Sequence, residues 1–393
     1  MNAVIVDAVR TPSGKGKPGG QLSSVHPAAL LSHVLRALVD RTGVDPALVD
    51  DVITGCVTQA GEQSLNIGRS AVLGAGFPEH VPATTIDRQC GSSQQAAHFA
   101  AQGVLSGAYD VVIACGVESM SRLPIGTATL GHDALGPAVA ARYPEGLVNQ
   151  GVSAEIIAAR WKLTREDLDA YSARSHRLAA ATAAAGGFAD EIVPVDASGG
   201  TAAVSEDETV RPSTTAEGLA GLRPSFVDEA LGARFPEIDW RITPGNSSPL
   251  TDGASAVLIM SERKAQALGL QPKARFHSFA VTGSDPLLML TGVIPATQKV
   301  LSRAGLSLDD IDAYEVNEAF APVPLAWQHE LGADPERLNP RGGAIALGHP
   351  LGASGTRLLT TLVNHLQATG GRYGLQTMCE GGGMANATIV ERL

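Results

Sequence analysis

Strand-like and helix-like segments take turns along this chain, and the same succession is run through twice. Residues 4–9, 52–53, 83–86 and 111–115 read as strands, with helical periodicity over 28–39, 67–73 and 94–105 between them. From about residue 272 the order resumes, with strands expected at 274–281, 311–316, 374–379 and 387–390 and helices at 297–304 and after His349. Alternation of this kind predicts layered α/β architecture, and its recurrence predicts two related halves. Cys90 and His349 fall in matching places before a helix, and Cys115 and Cys379 in matching places on the strand that follows. Residues 119–249 break the pattern with glycine, proline and polar turns, as an insertion would. They contain one long expected helix, 164–185, opened by Thr164-Arg-Glu-Asp167 in capping-box spacing. Residues 198–215 read as a solvated surface excursion.

Composition excludes several classes of function. The net charge of −11 provides no basic field for nucleic acid or an anionic membrane surface. Apolar residues make up 44% of the chain, yet no uninterrupted apolar run reaches the roughly 20 residues of a bilayer span. The N-terminal residues lead straight into a strand, without an apolar or arginine-rich presequence, so a cytoplasmic location is expected. Cys56, Cys90, Cys115 and Cys379 show neither CxxC nor zinc-knuckle spacing, which fits a reducing compartment and no metal. Cys56 and Cys115 end apolar runs and read as small buried hydrophobes.

The other two cysteines stand in chemical settings. Cys90, in DRQCGSSQ, lies where a strand gives way to a helix, a position that favours negative charge and lowers a thiol pKa. Residues 339–355, NPRGGAIALGHPLGASG, set His349 among glycines and before a proline that holds it extended, at the entry to an apolar-striped helix. Cys379 precedes Gly381-Gly382-Gly383, which leaves room for a ligand and for N–H donors facing developing negative charge. Asn317, in VNEAF just after an expected strand, supplies an amide able to orient a water or a carbonyl oxygen. The remaining histidines read as ordinary core or surface residues. No GxGxxG lies between a strand and a helix, which argues against a dinucleotide fold.

These four blocks, QCGSS, NEAF, GHP and CEGGG, resemble in order and spacing those of the thiolase family, and the resemblance covers the whole chain. It implies a duplicated five-layered α-β-α-β-α fold. Residues 1–118 with 250–271 would form the first half, 119–249 an inserted lid over coenzyme A, and 272–393 the second half. It also implies acyl exchange between Cys90 and coenzyme A, with His349 as base and Cys379 as acid or base at the acetyl carbon. His349 with a water held by Asn317 would form one oxyanion hole, and the N–H groups of Cys90 and Gly381 the other. Arg223, Ser225, Phe226 and Ser248 match coenzyme A contacts, and Met289, Ala319 and Phe320 match the acyl tunnel. The expected partners are acyl-CoA and coenzyme A as co-substrates, with no resident cofactor, in a homodimer or a homotetramer joined through residues 123–136. Asp87, Arg88 and Glu380 depart from the family pattern while leaving every reacting group in place.

The substrate reading rests on Gln150, where acetoacetyl-specialised thiolases carry a bulkier Met, and on segments similar to those of bacterial degradative and sterol side-chain thiolases. It points to cleavage of 3-oxoacyl-CoA chains longer than four carbons. Acetyl-CoA acetyltransferase is the alternative direction, and a non-catalytic acyl-CoA or lipid binder is the alternative of another class. A β-ketoacyl synthase would be expected to carry a second histidine where this chain has Cys379.

Overall fold

Successive residues of a strand face opposite sides, and in this chain both sets are apolar, so its strands must be covered on both faces. The computed structural model describes residues 2–197 and 203–393. The first run contains β1 (Ala3–Arg10), β2 (Gly14–Lys15), α1 (Pro27–Thr42), β3 (Asp51–Gly55), α2 (Ile67–Gly74), β4 (Ala83–Ile86), α3 (Ser92–Ser106) and β5 (Val111–Ser119). The chain then passes through α4 (Gly136–Arg142), α5 (Gln150–Arg160), α6 (Arg165–Ala184), α7 (Ala216–Ala220) and α8 (Glu229–Arg234) before returning as β6 (Thr251–Ser261). After α9 (Glu262–Ala267) comes the second run: β7 (Ala274–Gly283), α10 (Val293–Ala304), β8 (Ala313–Val316), α11 (Pro322–Leu331), α12 (Ala344–Leu347), α13 (Ser354–Thr369), β9 (Tyr373–Glu380) and β10 (Met384–Arg392).

The strands pair in the order β4-β3-β5-β6-β1-β7-β10-β9-β8, with β2 on β6. Within the sheet the two runs pair along a short antiparallel seam, Val4 with Arg275 and Ile5 with Ala274. Away from the seam each run repeats one pattern. β1 and β5 flank β6 antiparallel and β3 joins β5 in parallel; likewise β7 and β9 flank β10 antiparallel and β8 joins β9 in parallel. The repeated order of elements is therefore a repeated topology.

Alternation along the strands sets the layers. Val111, Ile113 and Cys115 of β5 pack outward with Leu31 and Leu35 of α1 and Val72 of α2. Val112 and Ala114 pack inward with Ala97 and Ala101 of α3 and Leu359 and Leu362 of α13. Ala313 and Val390 reach that inner layer from the second run, whose outer face is covered by α10 and α11 through Val300 and Trp327. The result is five layers, with α3 and α13 buried between the two sets of strands.

Several expectations need correction. β6, an eleven-residue strand buried throughout, lies outside the expected strands, because Asp252, Gly253 and Ser255 interrupt its apolar character. β5 continues past Cys115 to Ser119, so Cys115 lies mid-strand and bonded to Thr54, while Cys379 sits at the end of β9; the two are not equivalent. Of the surface excursion at 198–215, residues 198–202 lie outside the described residues. The rest is not simply solvated, since Asp207 reaches inward to buried Arg10 at 2.7 Å, alongside Glu191 at 2.7 Å. The expected capping box of α6 is present, with Thr164 N donating to Asp167 Oδ2 at 2.8 Å and Asp167 N to Thr164 Oγ1 at 3.1 Å.

The glycines of the GHP segment serve this packing. A Cβ at Gly355 would overlap the backbone of Gln94, and one at Gly352 would meet Cys56 Cα and Val117 O at 2.7 Å. Thr356 N donates to Ser93 Oγ at 3.0 Å, so the N-termini of α13 and α3 are pressed together. Gly355→Ala is expected to destabilise the fold by about 1–3 kcal/mol, the usual cost of overpacking. A lowered thermal midpoint relative to the unmodified protein checks this, and an unchanged midpoint would refute the close approach.

Candidate active site

Cys90 stands in a strained turn ahead of α3. Gln89 adopts φ 48°, a left-handed conformation that costs a non-glycine residue on the order of 1–3 kcal/mol. The turn is held by Asp87 Oδ1, which accepts from Gln89 N at 2.6 Å, and by Ser92 Oγ, which accepts from Arg88 N at 2.9 Å. Cys90 is buried against Leu351 and Leu358, from the segment that begins at His349, and against Met378, which precedes Cys379. The expected acidic thiol is not found. Burial pushes Cys90 up to about 12, Glu380 adds to the shift, and both outweigh the helix N-terminus.

His349 is fixed by its neighbours. Thr251 Oγ1, at the start of β6, accepts from its backbone N at 3.0 Å. Ser354 Oγ donates to Pro350 O at 2.9 Å and has no second proton, so the 2.6 Å contact with His349 Nδ1 requires Nδ1 to be the donor. The lone pair then lies on Nε2, 3.4 Å from Asn317 Nδ2. Burial, reinforced by Arg357, lowers His349 to about 3, so the ring is neutral at physiological pH. No hydrogen bond joins His349 to Cys90. Asn317 Oδ1 is buried without a hydrogen-bond partner among the described residues.

Cys379 is fully buried, and its thiol is pushed well above the usual range by burial and then by Cys90 and Glu380. Gly382 and Gly383 adopt φ 80° and 79° and close the β9–β10 hairpin, which accounts for two of the three glycines. At Gly381 a Cβ would meet Gln89 Oε1 at 2.9 Å and Gln150 Nε2 at 3.4 Å, so this loop, the nucleophile turn and the start of α5 converge. Among the described residues, neither Cys90 N–H nor Gly381 N–H meets a backbone carbonyl.

The expected acyl-CoA contacts divide. Phe226 and Phe320 meet edge to face at 6.1 Å and share an apolar cluster with Met289 and Ala319, and Phe226 also lies on Gly151 of α5. Ser248 is engaged elsewhere: its N and Oγ both donate to Ala319 O, at 3.0 and 3.1 Å, tying the insertion's end to the NEAF loop. Arg223 and Ser225 are exposed, and Ser225 N donates to Ile242 O at 2.8 Å. The structure does not bring either of them to the cysteines.

Two family models match, described as Thiolase, N-terminal domain, over residues 3–263 and Thiolase, C-terminal domain, over residues 270–392. The chain belongs to the thiolase family. It is similar to the steroid 3-ketoacyl-CoA thiolase FadA6 of Mycobacterium tuberculosis, with 49% identity covering 100% of this chain and 94% of that one. It is 44% identical to a 3-ketoacyl-CoA thiolase of Aliivibrio fischeri, covering 100% and 99%. The crystal structure of the Bacillus anthracis acetyl-CoA acetyltransferase matches with a TM-score of 0.88 at 38% identity, covering 100% of this chain and 99% of that one.

Two carboxylates that hold this thiolase site together were not singled out in the sequence. Buried Glu318 accepts from Tyr171 and Ser175 of α6, from Asn339 and from Ile345 N, at 2.7–3.0 Å. It was visible in NEAF but passed over beside Asn317. Glu118 accepts from Val57 N, Thr58 N, Gln63 and Gly352 N, at 2.8–3.1 Å, bridging both runs. An acid closing the apolar β5 segment was its only signal.

The tautomer argument is testable. Ser354→Ala is expected to lower kcat with little change in KM, by part of the roughly 10²–10⁴-fold that a positioned base contributes; an unchanged kcat would remove Ser354 from this role. Because His349 titrates near 3, kcat/KM in the unmodified protein should show no acid limb at 6.5, the ordinary histidine value.

Proposed function

We propose that the protein is a 3-ketoacyl-CoA thiolase that cleaves 3-oxoacyl-CoA into acetyl-CoA and a shortened acyl-CoA. The observation that carries this reading is a buried Cys90 packed against Met378, the residue before buried Cys379, and against Leu351 of the segment that begins at His349, whose neutral ring faces Asn317 through Nε2. Both thiol and imidazole are neutral at rest, so the proton must pass from Cys90 Sγ to Nε2 as sulfur bonds to the C3 carbonyl carbon. The C2–C3 bond then breaks, Cys379 protonates the acetyl-CoA carbanion, and Cys90 is left as a thioester. The Cys379 thiolate then takes the proton of coenzyme A, whose sulfur attacks that thioester; acyl-CoA leaves, and protonated His349 returns its proton to Cys90. Protonated His349, with Asn317, would donate to one oxyanion, and the N–H groups of Cys90 and Gly381 to the other.

Residues 119–249 are read as the insertion that covers coenzyme A, flanked by halves 1–118 with 250–271 and 272–393. Phe226, and Ser248 through the Oγ lone pairs left by its bond to Ala319 O, would place the pantetheine arm, Arg223 and Ser225 the exposed nucleotide end, and Met289, Ala319 and Phe320 the acyl wall. No step calls for a resident cofactor. We also infer a homodimer or homotetramer in the cytoplasm. Ile125, Leu130 and Leu135 are 63%, 78% and 58% exposed within the 123–136 segment, which suits contact with another copy. Light scattering giving a monomer at micromolar concentration, or fractionation with a membrane or secreted pool, would remove these inferences.

Intact-mass measurement after exposure to 3-oxoacyl-CoA or acyl-CoA tests the roles. Cys90→Ala is expected to take up no acyl group, whereas Cys379→Ala is expected to be acylated by acyl-CoA but unable to complete the carbon–carbon step. An adduct on the Cys90 variant would overturn the assignment.

The chain-length reading draws support from Gln150 beside Gly381 and from relatives named as 3-ketoacyl-CoA thiolases. Thiolysis across a series of 3-oxoacyl-CoA substrates should give a higher kcat/KM above four carbons, graded because each methylene in an apolar pocket is worth about 1–3 kcal/mol. Gln150→Met should shift the preference toward short chains. Strong preference for acetoacetyl-CoA, or faster condensation of acetyl-CoA, would favour the acetyltransferase direction named for the Bacillus anthracis structure.

A further inference from the structure

One buried acid at the site has no part in this reaction. Glu380 follows Cys379 in sequence and is fully buried, and neither carboxyl oxygen has a hydrogen-bond partner among the described residues. A Cβ at Gly91 would overlap its Oε1, so the carboxyl group touches the residue after one cysteine while being chain-linked to the other. Asn386 of β10 closes the opposite side, with Nδ2 donating to Gly91 O at 3.0 Å. The charged and titratable groups around it are Arg88 and Asp87 in the nucleophile turn, the two thiols, and Glu118 on β5, which acts on Cys90 from its own strand. His98, farther along α3, feels Arg88 and bonds to Thr388 on β10. Arg88 Nε is itself buried without a partner.

A buried carboxylate without hydrogen bonds is costly, so the group keeps its proton. Burial raises Glu380 to about 8, with Arg88 partly opposing the rise. Below that pH the side chain is a neutral filler against Gly91; above it, a negative charge lies beside both sulfurs and opposes either thiolate.

We propose that Glu380 is a positioning residue that seats Gly91 as a neutral acid and, once ionised, restrains both Cys90 and Cys379, giving the site a built-in alkaline limit. The proposal rests on the reading of Cys90 as nucleophile, but its test needs no substrate. Iodoacetamide alkylation of Cys90 in the full chain, followed by peptide mass from about pH 6 to about pH 10, reads thiolate reactivity directly. In the unmodified protein the rise with pH is expected to stall near 8. Glu380→Gln should rise without the stall and react about tenfold faster at the alkaline end, the equivalent of one pKa unit. Arg88→Gln removes the cation that favours the carboxylate and should move the stall to higher pH, which decides the matter even if the Glu380 variant does not fold. A stall unmoved in either variant, or a uniform slowing of Glu380→Gln at every pH, would overturn the proposal. If these profiles appear as expected but acyl-CoA leaves no adduct on Cys90, the thiolase reading fails and this one stands.

Discussion

The contact on which the site depends is the close approach of α3 and α13 at their N-termini. Each helix begins beside a chemical residue, Cys90 in one run and His349 in the other, and each comes from a different half of a repeated topology. Gly355 against Gln94, Gly352 against Cys56 and Val117, and Thr356 N on Ser93 Oγ leave no space for a side chain between them. Covered by strands on both sides, the two helices cannot separate without opening the layer of apolar side chains that they share. The thiolase site is thus a consequence of how two similar halves are pressed together, since neither half contains it alone.

Loops around that contact are held by buried acceptors rather than by regular secondary structure. Glu318 and Glu118 each collect four donors, and between them they connect α6, β8, α12, the loop after β3 and the loop after His349. A buried carboxylate satisfied in this way is rigid, because losing one donor exposes it to the full cost of burial. Glu380 is the contrasting case, buried next to Cys379 and against Gly91 with no donor among the described residues.

Burial also decides the resting charge state. Thiols are driven up and His349 is driven down, so neutral groups replace the ion pair that a solvent-exposed cysteine and histidine could form. Low dielectric makes the neutral pair the ground state and makes fixed N–H donors more effective once charge develops on a substrate oxygen.

Periodicity locates most of the strands and helices of both runs, though not α11, because two-sided apolar strands and striped helices announce their faces locally, and the capping box of α6 is legible for the same reason. β6 is not, since Asp252, Gly253 and Ser255 look like a loop until both neighbouring strands are in place. The motif residues Cys90, Asn317, His349 and Cys379 could be named from sequence because glycines and prolines mark the turns that present them. What those residues would be at rest could not. A helix N-terminus argued for an acidic Cys90, and only the packed structure showed that desolvation and Glu380 outweigh it. Likewise, the sequence does not show that Ser248 Oγ donates to Ala319 O, or that the glycines of GHPLGASG give clearance to protein: to Thr251 at Gly348, to Cys56 and Val117 at Gly352, and to α3 at Gly355. Local pattern determines which residues form an element and which way its faces point. Charge state, hydrogen-bond partners and clearances depend on groups tens to hundreds of residues away, so tertiary structure alone decides them.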